Sequence, residues 1–151
     1  MKALLVYDSV LGHTEKIAQS IAAALTPGVE VKVLRVGEAA PSELEAITLL
    51  IVGSPTMGGS PTVAIQEFLA KIPAGALKDV DVIAFDTRLK TAWAKIFGYA
   101  AQRIAASLKN EGGHLMAPPQ GFVVLGSKGP LEEGETERAA GWIKGLMQGK
   151  K

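Results

Sequence analysis

The sequence predicts an α/β fold in which helices cover both faces of a parallel sheet. Apolar runs of strand length alternate with segments of helical periodicity from the first run, at 3–7, to the last helix. Such alternation is typical of βαβ units, whose crossover helices pack on the sheet. The chain has 151 residues, of which 48% are hydrophobic, enough for a core of its own. We therefore expect a single domain over 1–151.

The first elements follow from their apolar patterns. The continuous run ALLVY at 3–7 indicates a strand buried on both faces. A helix follows, marked by apolar residues four positions apart: Ile17, Ile21 and Leu25. It ends near Pro27, which favours termination. The alternating run at 29–36 predicts a half-exposed strand near a sheet edge.

The middle of the chain continues the alternation. Residues 41–46 (PSELEA) predict a short helix, because Ser42 and Glu45 have the spacing of a capping box. The run at 46–55 is the most apolar and predicts the central strand. A second helix is marked by Ile65, Phe68, Leu69 and Ile72. Residues 79–87 predict the fourth strand.

The last third predicts two helices and a divided strand. A long third helix is indicated by Ile96, Ala100, Ile104 and Leu108. Residues 114–117 and 121–126 predict two pieces of one strand, separated by Pro118 and Pro119. Since proline cannot donate to a ladder, this strand belongs at an edge. The last predicted helix has an inward-facing side that consists of Ala139, Trp142, Ile143 and Leu146.

Composition excludes several classes of function. The chain has no cysteine, which excludes disulfides, thiolate-ligated clusters and thiol nucleophiles. A net charge of +1 argues against nucleic acid as a partner. No apolar run approaches the roughly 20 residues of a membrane span. The start of the chain, 1–7, is too short for a signal peptide. We expect a soluble cytoplasmic protein.

The loop after the first strand is the first candidate site, because ligands of open parallel sheets bind at the carboxyl ends of strands. Residues 9–14 (SVLGHT) lead into the first helix, whose unpaired amides and dipole favour an anion. Ser9 and Thr14 add hydroxyls, and Gly12 lets the backbone curl. The alternative is that Thr14 only caps the helix and Gly12 only turns the chain.

Other anion and metal sites are not indicated in this loop. The P-loop and dinucleotide fingerprints are both absent, so a nucleoside triphosphate is not expected. His13 lies in the loop, but the only other histidine, His114, is far along the chain. We therefore expect no metal site and place His13 in solvent or beside a phosphate.

The loops after the third and fourth strands suit a flat ligand. Residues 53–62 (GSPTMGGSPT) contain three glycines, and the pair Gly58 and Gly59 permits close backbone approach. The third loop, 85–98, contains Trp93, which could stack on an aromatic ligand or pack under the next helix. We expect a solvated rim of cations in this loop: Arg88, Lys90 and Lys95.

With these loops in view, the sequence resembles the flavodoxin family in its short-chain form. YDSVLGHTEKIA at 7–18 resembles the family's phosphate loop, and 53–62 resembles its second flavin loop. Residues 114–135 are similar to its split last strand and exit loop. The resemblance implies a three-layer sandwich with a five-stranded parallel sheet in the order 2-1-3-4-5. It also implies FMN as the cofactor.

The resemblance also implies which residues bind FMN. Those that would hold the phosphate are Ser9, Val10, Leu11, Gly12, His13 and Thr14. Those that would border the ring are Pro55, Thr56, Met57, Gly58 and Gly59. The other wall would consist of Thr87, Arg88 and Trp93. In the family, a carbonyl of the second loop turns toward the flavin after reduction, and the peptide between Gly58 and Gly59 could turn at low steric cost.

Three departures from the family pattern bear on the cofactor and its partners. Leu11 stands where a threonine is common, and Met57 where an aromatic residue is common. The chain is also not strongly acidic, and 86–109 holds five basic residues against Asp86 alone. Exposed cations near the flavin would favour an acidic partner or a small anionic acceptor. They would also make the lowest flavin potential less extreme.

The leading interpretation is a one-electron carrier between redox partners. The loops contain no paired carboxylates and no histidine beside a carboxylate, so no catalytic residues are expected. The alternative is a small FMN-dependent oxidoreductase acting on a quinone, a porphyrin precursor or another anionic acceptor. A phosphoacceptor signalling domain, which needs acidic residues gathered at strand ends, is disfavoured because the third strand ends in Ser54. A domain that has lost its cofactor and only binds a partner stays open.

Overall fold

In the computed structural model, strands and helices alternate along residues 1–89, 99–126 and 128–149, the ranges that the structure describes. The strands are β1 (Lys2–Tyr7), β2 (Glu30–Arg35), β3 (Leu49–Pro55), β4 (Asp81–Leu89), β5 (His114–Leu115) and β6 (Gln120–Val124). The helices are α1 (His13–Leu25), α2 (Val63–Ala70), α3 (Ala100–Asn110) and α4 (Glu135–Gly149). No helix in these ranges is long and apolar enough to cross a membrane.

The strands form one parallel sheet in the order β2-β1-β3-β4-β5, which confirms the predicted order. The end strand consists of β5 and β6, which pair with successive stretches of β4. Pro118 and Pro119 lie between the two pieces, as predicted. The strand β2 lies at the other edge and is largely exposed. The carboxyl ends of β1, β3, β4 and β6 therefore meet along one side of the sheet.

Alternate residues of the central strands face two separate cores. One face, including Leu4 and Val52, packs against α2 and α3. The opposite face, including Leu5 and Ile51, packs against α1 and α4. This division follows from the two-residue period of a strand. Each fully buried leucine or isoleucine contributes about 1.5–3 kcal/mol to folding. The result is the three-layer sandwich that the sequence predicts.

Three predicted elements differ in extent. The third helix begins at Ala100, because Tyr99 is extended with φ −136° and ψ 154°, and Ile96 lies outside the described residues. The segment Pro41–Leu44 is a 3₁₀ helix, and the predicted capping box at Ser42 is absent. The strand β4 continues to Leu89, because its last five residues pair with β6. Residues expected in the third loop therefore lie in a strand.

A buried carboxylate at the start of α4, paired with the more exposed Arg138, joins this helix to β6. The carboxylate of Glu135 accepts the N–H of Val123 at 2.7 Å and hydrogen bonds from Arg138 at 2.7 Å. Arg138 also lies 4.5 Å from the centre of the Phe122 ring. The hydrogen bonds from Arg138, followed by that from Val123, lower the pKa of Glu135 despite its burial. The pair thus holds the edge strand in place.

We expect Glu135→Gln to destabilise the fold by about 2 kcal/mol at pH 7, because it weakens charge-assisted hydrogen bonds to a buried carboxylate. Since the folded pKa lies below the ordinary value of 4.5, this stabilisation is present above that value and is lost as the pH falls through the folded pKa. Urea unfolding at several pH values measures the difference. A gap between wild type and variant that stays constant down to about pH 3 would contradict this account.

Candidate functional site

Four chain segments enclose a cleft of about 360 Å³ at the carboxyl edge of the sheet. The residues predicted from the sequence that line it are Ser9, Val10, Leu11, His13, Thr14, Pro55, Thr56, Met57, Thr87 and Arg88. Gly12, Gly58 and Gly59 belong to the same loops without lining the cleft. Trp93 lies outside the described residues, as do Lys90 and Lys95. The three loops singled out by topology are thus brought together.

The first loop leaves the start of α1 open toward the cleft. Gly12 precedes the helix with a φ of +90°, a conformation that favours glycine, and supplies no capping side chain. The hydroxyl oxygen of Ser9 accepts the N–H groups of Gly12 at 3.0 Å and Glu15 at 3.4 Å. Ser9 thus shapes the loop. The first turn of α1 still presents the helix dipole to a ligand.

Thr14 connects the first loop to the end of β4. Its hydroxyl oxygen lies 2.8 Å from that of Thr87, and both residues are buried. In a pair of hydroxyls one donates to the other, so the second keeps a proton for another acceptor. Thr14 therefore does more than cap a helix. One donor of the pair remains for a ligand oxygen in the cleft.

Asp8 braces the first loop against the second. One carboxylate oxygen accepts the N–H of Ser9 at 2.9 Å, and the other accepts the hydroxyl of Thr62 at 2.6 Å. Thr62 is the N-cap of α2 and also accepts the N–H of Ile65. Asp8 is not among the residues that the sequence predicts to bind FMN. Its position directly after a buried strand was the available signal.

Arg35, at the end of β2, holds the outside of the same loop. Its guanidinium donates to the carbonyl oxygen of Ser9 at 2.9 Å and lies 3.5 Å from the carboxylate of Asp8. It also lies 5.5 Å from the centre of the Tyr7 ring. Burial, followed by the hydrogen bond to Glu15, raises the pKa of the Tyr7 hydroxyl. No local sequence pattern indicates this role of Arg35.

The second loop ends in a tight turn beside the cleft. Met57 and Ser60 exchange backbone hydrogen bonds of 2.7 and 3.1 Å around the two glycines. Gly58 has a φ of +59° and Gly59 a φ of +84°, as a type I′ turn requires. Met57 is 52% exposed at the rim. The pair of glycines is therefore needed for the turn itself, independently of any ligand.

The expectation of a solvated Arg88 is wrong. Its guanidinium donates to both carboxylate oxygens of Asp86, at 2.7 and 2.8 Å. Asp86 is fully buried, and the Arg88 side chain is only 20% exposed. Desolvation raises the pKa of Asp86, while hydrogen bonds from Arg88 and Ala101 oppose this rise. The wall of the cleft that Arg88 forms is therefore paired, and it is not an exposed cationic rim.

The fourth segment follows β6 and was only weakly indicated by the sequence. Val124 and Gly126 line the cleft, together with Leu89 at the end of β4. The Nε2 atom of His13 lies 3.2 Å from the carbonyl oxygen of Lys128, so this nitrogen acts as the donor. A methyl group at Gly129 would lie 2.3 Å from the His13 ring. His13 thus joins the first loop to the fourth segment.

The residues of this cleft fit a phosphorylated, planar cofactor. One end offers an open helix start and hydroxyl groups, which suit a phosphate. The walls offer exposed apolar side chains, among them Leu11 at 55%, Met57 at 52% and Leu89 at 42% exposure. A flat aromatic ring is the ligand group that such walls suit. The fold and the site together define an α/β protein for a nucleotide-like cofactor.

The sequence model of the flavodoxin family matches residues 5–142. The chain belongs to the flavodoxin family, as the loops predict. Flavodoxins bind FMN, and membership of this family supports an FMN-binding electron-transfer role for the chain. The family match covers all four segments around the cleft.

The chain is also similar to individual proteins and to solved structures. An uncharacterised protein of Methanocaldococcus jannaschii is 39% identical over 74 residues, which are 46% of this chain and 19% of that protein. A putative diflavin flavoprotein of Synechocystis is 39% identical over 83 residues, 52% of this chain and 14% of that protein. The matched part is thus less than a fifth of either relative. Oxidised flavodoxin 2 from Bacillus cereus has the same fold, with a TM-score of 0.82, 21% identity and 99% of both chains covered.

Proposed function

We propose that this chain, as one domain over 1–151, holds FMN across the cleft and carries single electrons between redox partners in the cytoplasm. The phosphate-binding residues would be Ser9, Val10, Leu11, Gly12, His13 and Thr14. The ring would lie between the second loop, with Pro55, Thr56, Met57, Gly58 and Gly59, and a wall of Thr87, Arg88 and Trp93. FMN supplies the redox chemistry when bound, and the chain binds, orients and shields it.

The observation that carries this proposal is the start of α1, where the N-cap Gly12 supplies no capping side chain, at one end of an apolar cleft. Gly12 leaves the helix dipole facing the loop, and Thr14 keeps a hydroxyl nearby. A dianionic phosphate is favoured at such a point because it accepts hydrogen bonds and complements the dipole. Leu11 and Met57 do not weaken the site, since apolar groups can border the rest of the cofactor.

We propose a carrier and not an enzyme because the acidic groups at the cleft are already engaged. Asp8 accepts hydrogen bonds from Ser9 and Thr62, and Asp86 is paired with Arg88. A general acid or base must be free to exchange a proton with a substrate.

The exposed cations Lys128 and Arg103 lie near the cleft, Lys128 in the fourth segment and Arg103 beside Ser60. They would favour an acidic partner or a small anionic acceptor.

Titration of the cofactor-free protein with FMN tests the proposal. We expect quenching of flavin fluorescence and uptake at micromolar or lower concentration. Steady-state NADPH consumption with a quinone, without an added reductase, provides the second measurement. Rapid turnover would support the oxidoreductase instead. A colourless protein that takes up no FMN would end the proposal, although the fold would stand.

A further inference from the structure

The wall of the cleft after β4 contains a charge pair in an unusual place. Arg88 lines the cleft, and the carboxylate that pairs with it, Asp86, lies fully buried. The two residues are two positions apart on one strand, so their side chains leave the same face of the sheet. Their two hydrogen bonds of 2.7 and 2.8 Å make the contact bidentate. A residue in the wall of the cleft thus carries a cation whose counter-charge is held inside the protein.

The carboxylate of Asp86 is engaged inside the protein. Besides Arg88, it accepts the N–H of Ala101 at 2.9 Å. Thr56 lines the cleft from the second loop, and its hydroxyl oxygen accepts the N–H of Ala100. The buried carboxylate therefore joins the end of β4 to the start of α3, which Thr56 in turn joins to the second loop. Its effect on a cofactor would be indirect.

Arg88 is fixed from its other sides as well. The guanidinium carbon lies 3.4 Å from the centre of the Tyr99 ring, which suits a stacked cation. A methyl group at Gly121 would lie 2.0 Å from the Nε atom of Arg88, so only glycine leaves room for this side chain. The guanidinium therefore has little freedom to turn away from Asp86. Its charge stays compensated at a defined position.

We propose that Asp86 is a positioning residue that neutralises the cation on the ring-facing wall and thereby limits how strongly the site favours reduced flavin. Reduced FMN carries the added electrons and tends to be anionic, so an uncompensated Arg88 beside it would stabilise the reduced form. Asp86 cancels most of that attraction. This inference rests on the proposed FMN site. It adds that the reduction potential of the bound flavin depends on a buried group that does not touch the cofactor.

The test compares four holoproteins by redox titration and flavin affinity. Asp86→Asn removes the buried charge with little change of shape, and Asp79→Asn, exposed just before β4, is the matched control. We expect Asp86→Asn to raise the affinity for reduced over oxidised FMN about tenfold. A tenfold change is about 59 mV for a one-electron step. The double variant Asp86→Asn/Arg88→Gln should return to within about threefold of wild type, because the cation is gone as well.

The outcomes separate this inference from the proposed function. If wild type takes up no FMN, the FMN site itself fails. If wild type binds FMN but Asp86→Asn shifts the potential no more than Asp79→Asn, or the double variant shifts as far as Asp86→Asn, the charge account is overturned. Should Asp86→Asn not fold, Arg88→Gln decides when it is followed from about pH 7 to pH 9, because the buried Asp86, whose pKa is raised by desolvation, ionises as the pH rises. Arg88→Gln should lower the affinity for reduced FMN relative to oxidised FMN. An unchanged ratio of these affinities, or a change in the opposite direction, would overturn the inference.

Discussion

Replacing Thr14 with valine is expected to weaken FMN binding by about ten- to a hundredfold, because a hydrogen bond to a charged group contributes about 1.5–3 kcal/mol. The hydroxyl of Thr14 is buried at the start of α1, 2.8 Å from that of Thr87. Valine keeps the shape and removes the donor. Fluorescence titration with FMN, and separately with riboflavin, measures the effect. Riboflavin lacks the phosphate, so its weaker binding should change by no more than about threefold.

The matched control is Thr87→Val, which breaks the same hydroxyl pair but leaves the Thr14 hydroxyl free to donate. It should therefore cost less FMN affinity than the change at Thr14. Thr48→Val, at the exposed amino end of β3, should leave both affinities unchanged. Equal losses for FMN and riboflavin in Thr14→Val would mean that the hydroxyl acts only by holding the loops. The phosphate contact would then be wrong.

The local sequence pattern was sufficient to predict the type and the order along the chain of most elements. It failed where pairing with a distant strand sets the end of an element. The run at 3–7 and the divided edge strand could be predicted because their patterns lie within the segment. The end of β4 could not, since Leu89 is held in the sheet by Val124, 35 residues further on. The strand order 2-1-3-4-5 came from the family resemblance, since alternation alone allows several orders.

The position of the site could be predicted for a different reason. In a parallel sheet the carboxyl ends of the strands lie together whatever their sequence, so the three loops had to meet. Contacts such as that between Arg35 and Ser9 join residues 26 positions apart, and no local pattern reports them. The pair of Asp86 and Arg88 could have been predicted, because two opposite charges two residues apart in a strand share a face. The excess of basic residues over 86–109 favoured a solvated cationic loop instead.

Replacing Gly53 with alanine is expected to destabilise the fold by about 3 kcal/mol, because the core there has no room for a methyl group. Gly53 lies in β3 at the start of the second loop, paired with Tyr7 and Phe85. An added Cβ would lie 2.1 Å from the Cζ atom of the Phe85 ring. That ring is fully buried and lies 6.3 Å, centre to centre, from the ring of Phe122. Chemical unfolding measures the change.

The control for Gly53→Ala is Gly141→Ala, inside α4, where an added methyl group meets nothing within 4 Å. There alanine should stabilise by about 0.5–1 kcal/mol through helix propensity. Phe85→Leu in the Gly53→Ala background should recover part of the loss, since the smaller side chain makes room and the two sites couple directly. If the free energy of unfolding of Gly53→Ala lies within about 1 kcal/mol of the wild-type value, the Phe85 ring moves aside more easily than its packing implies.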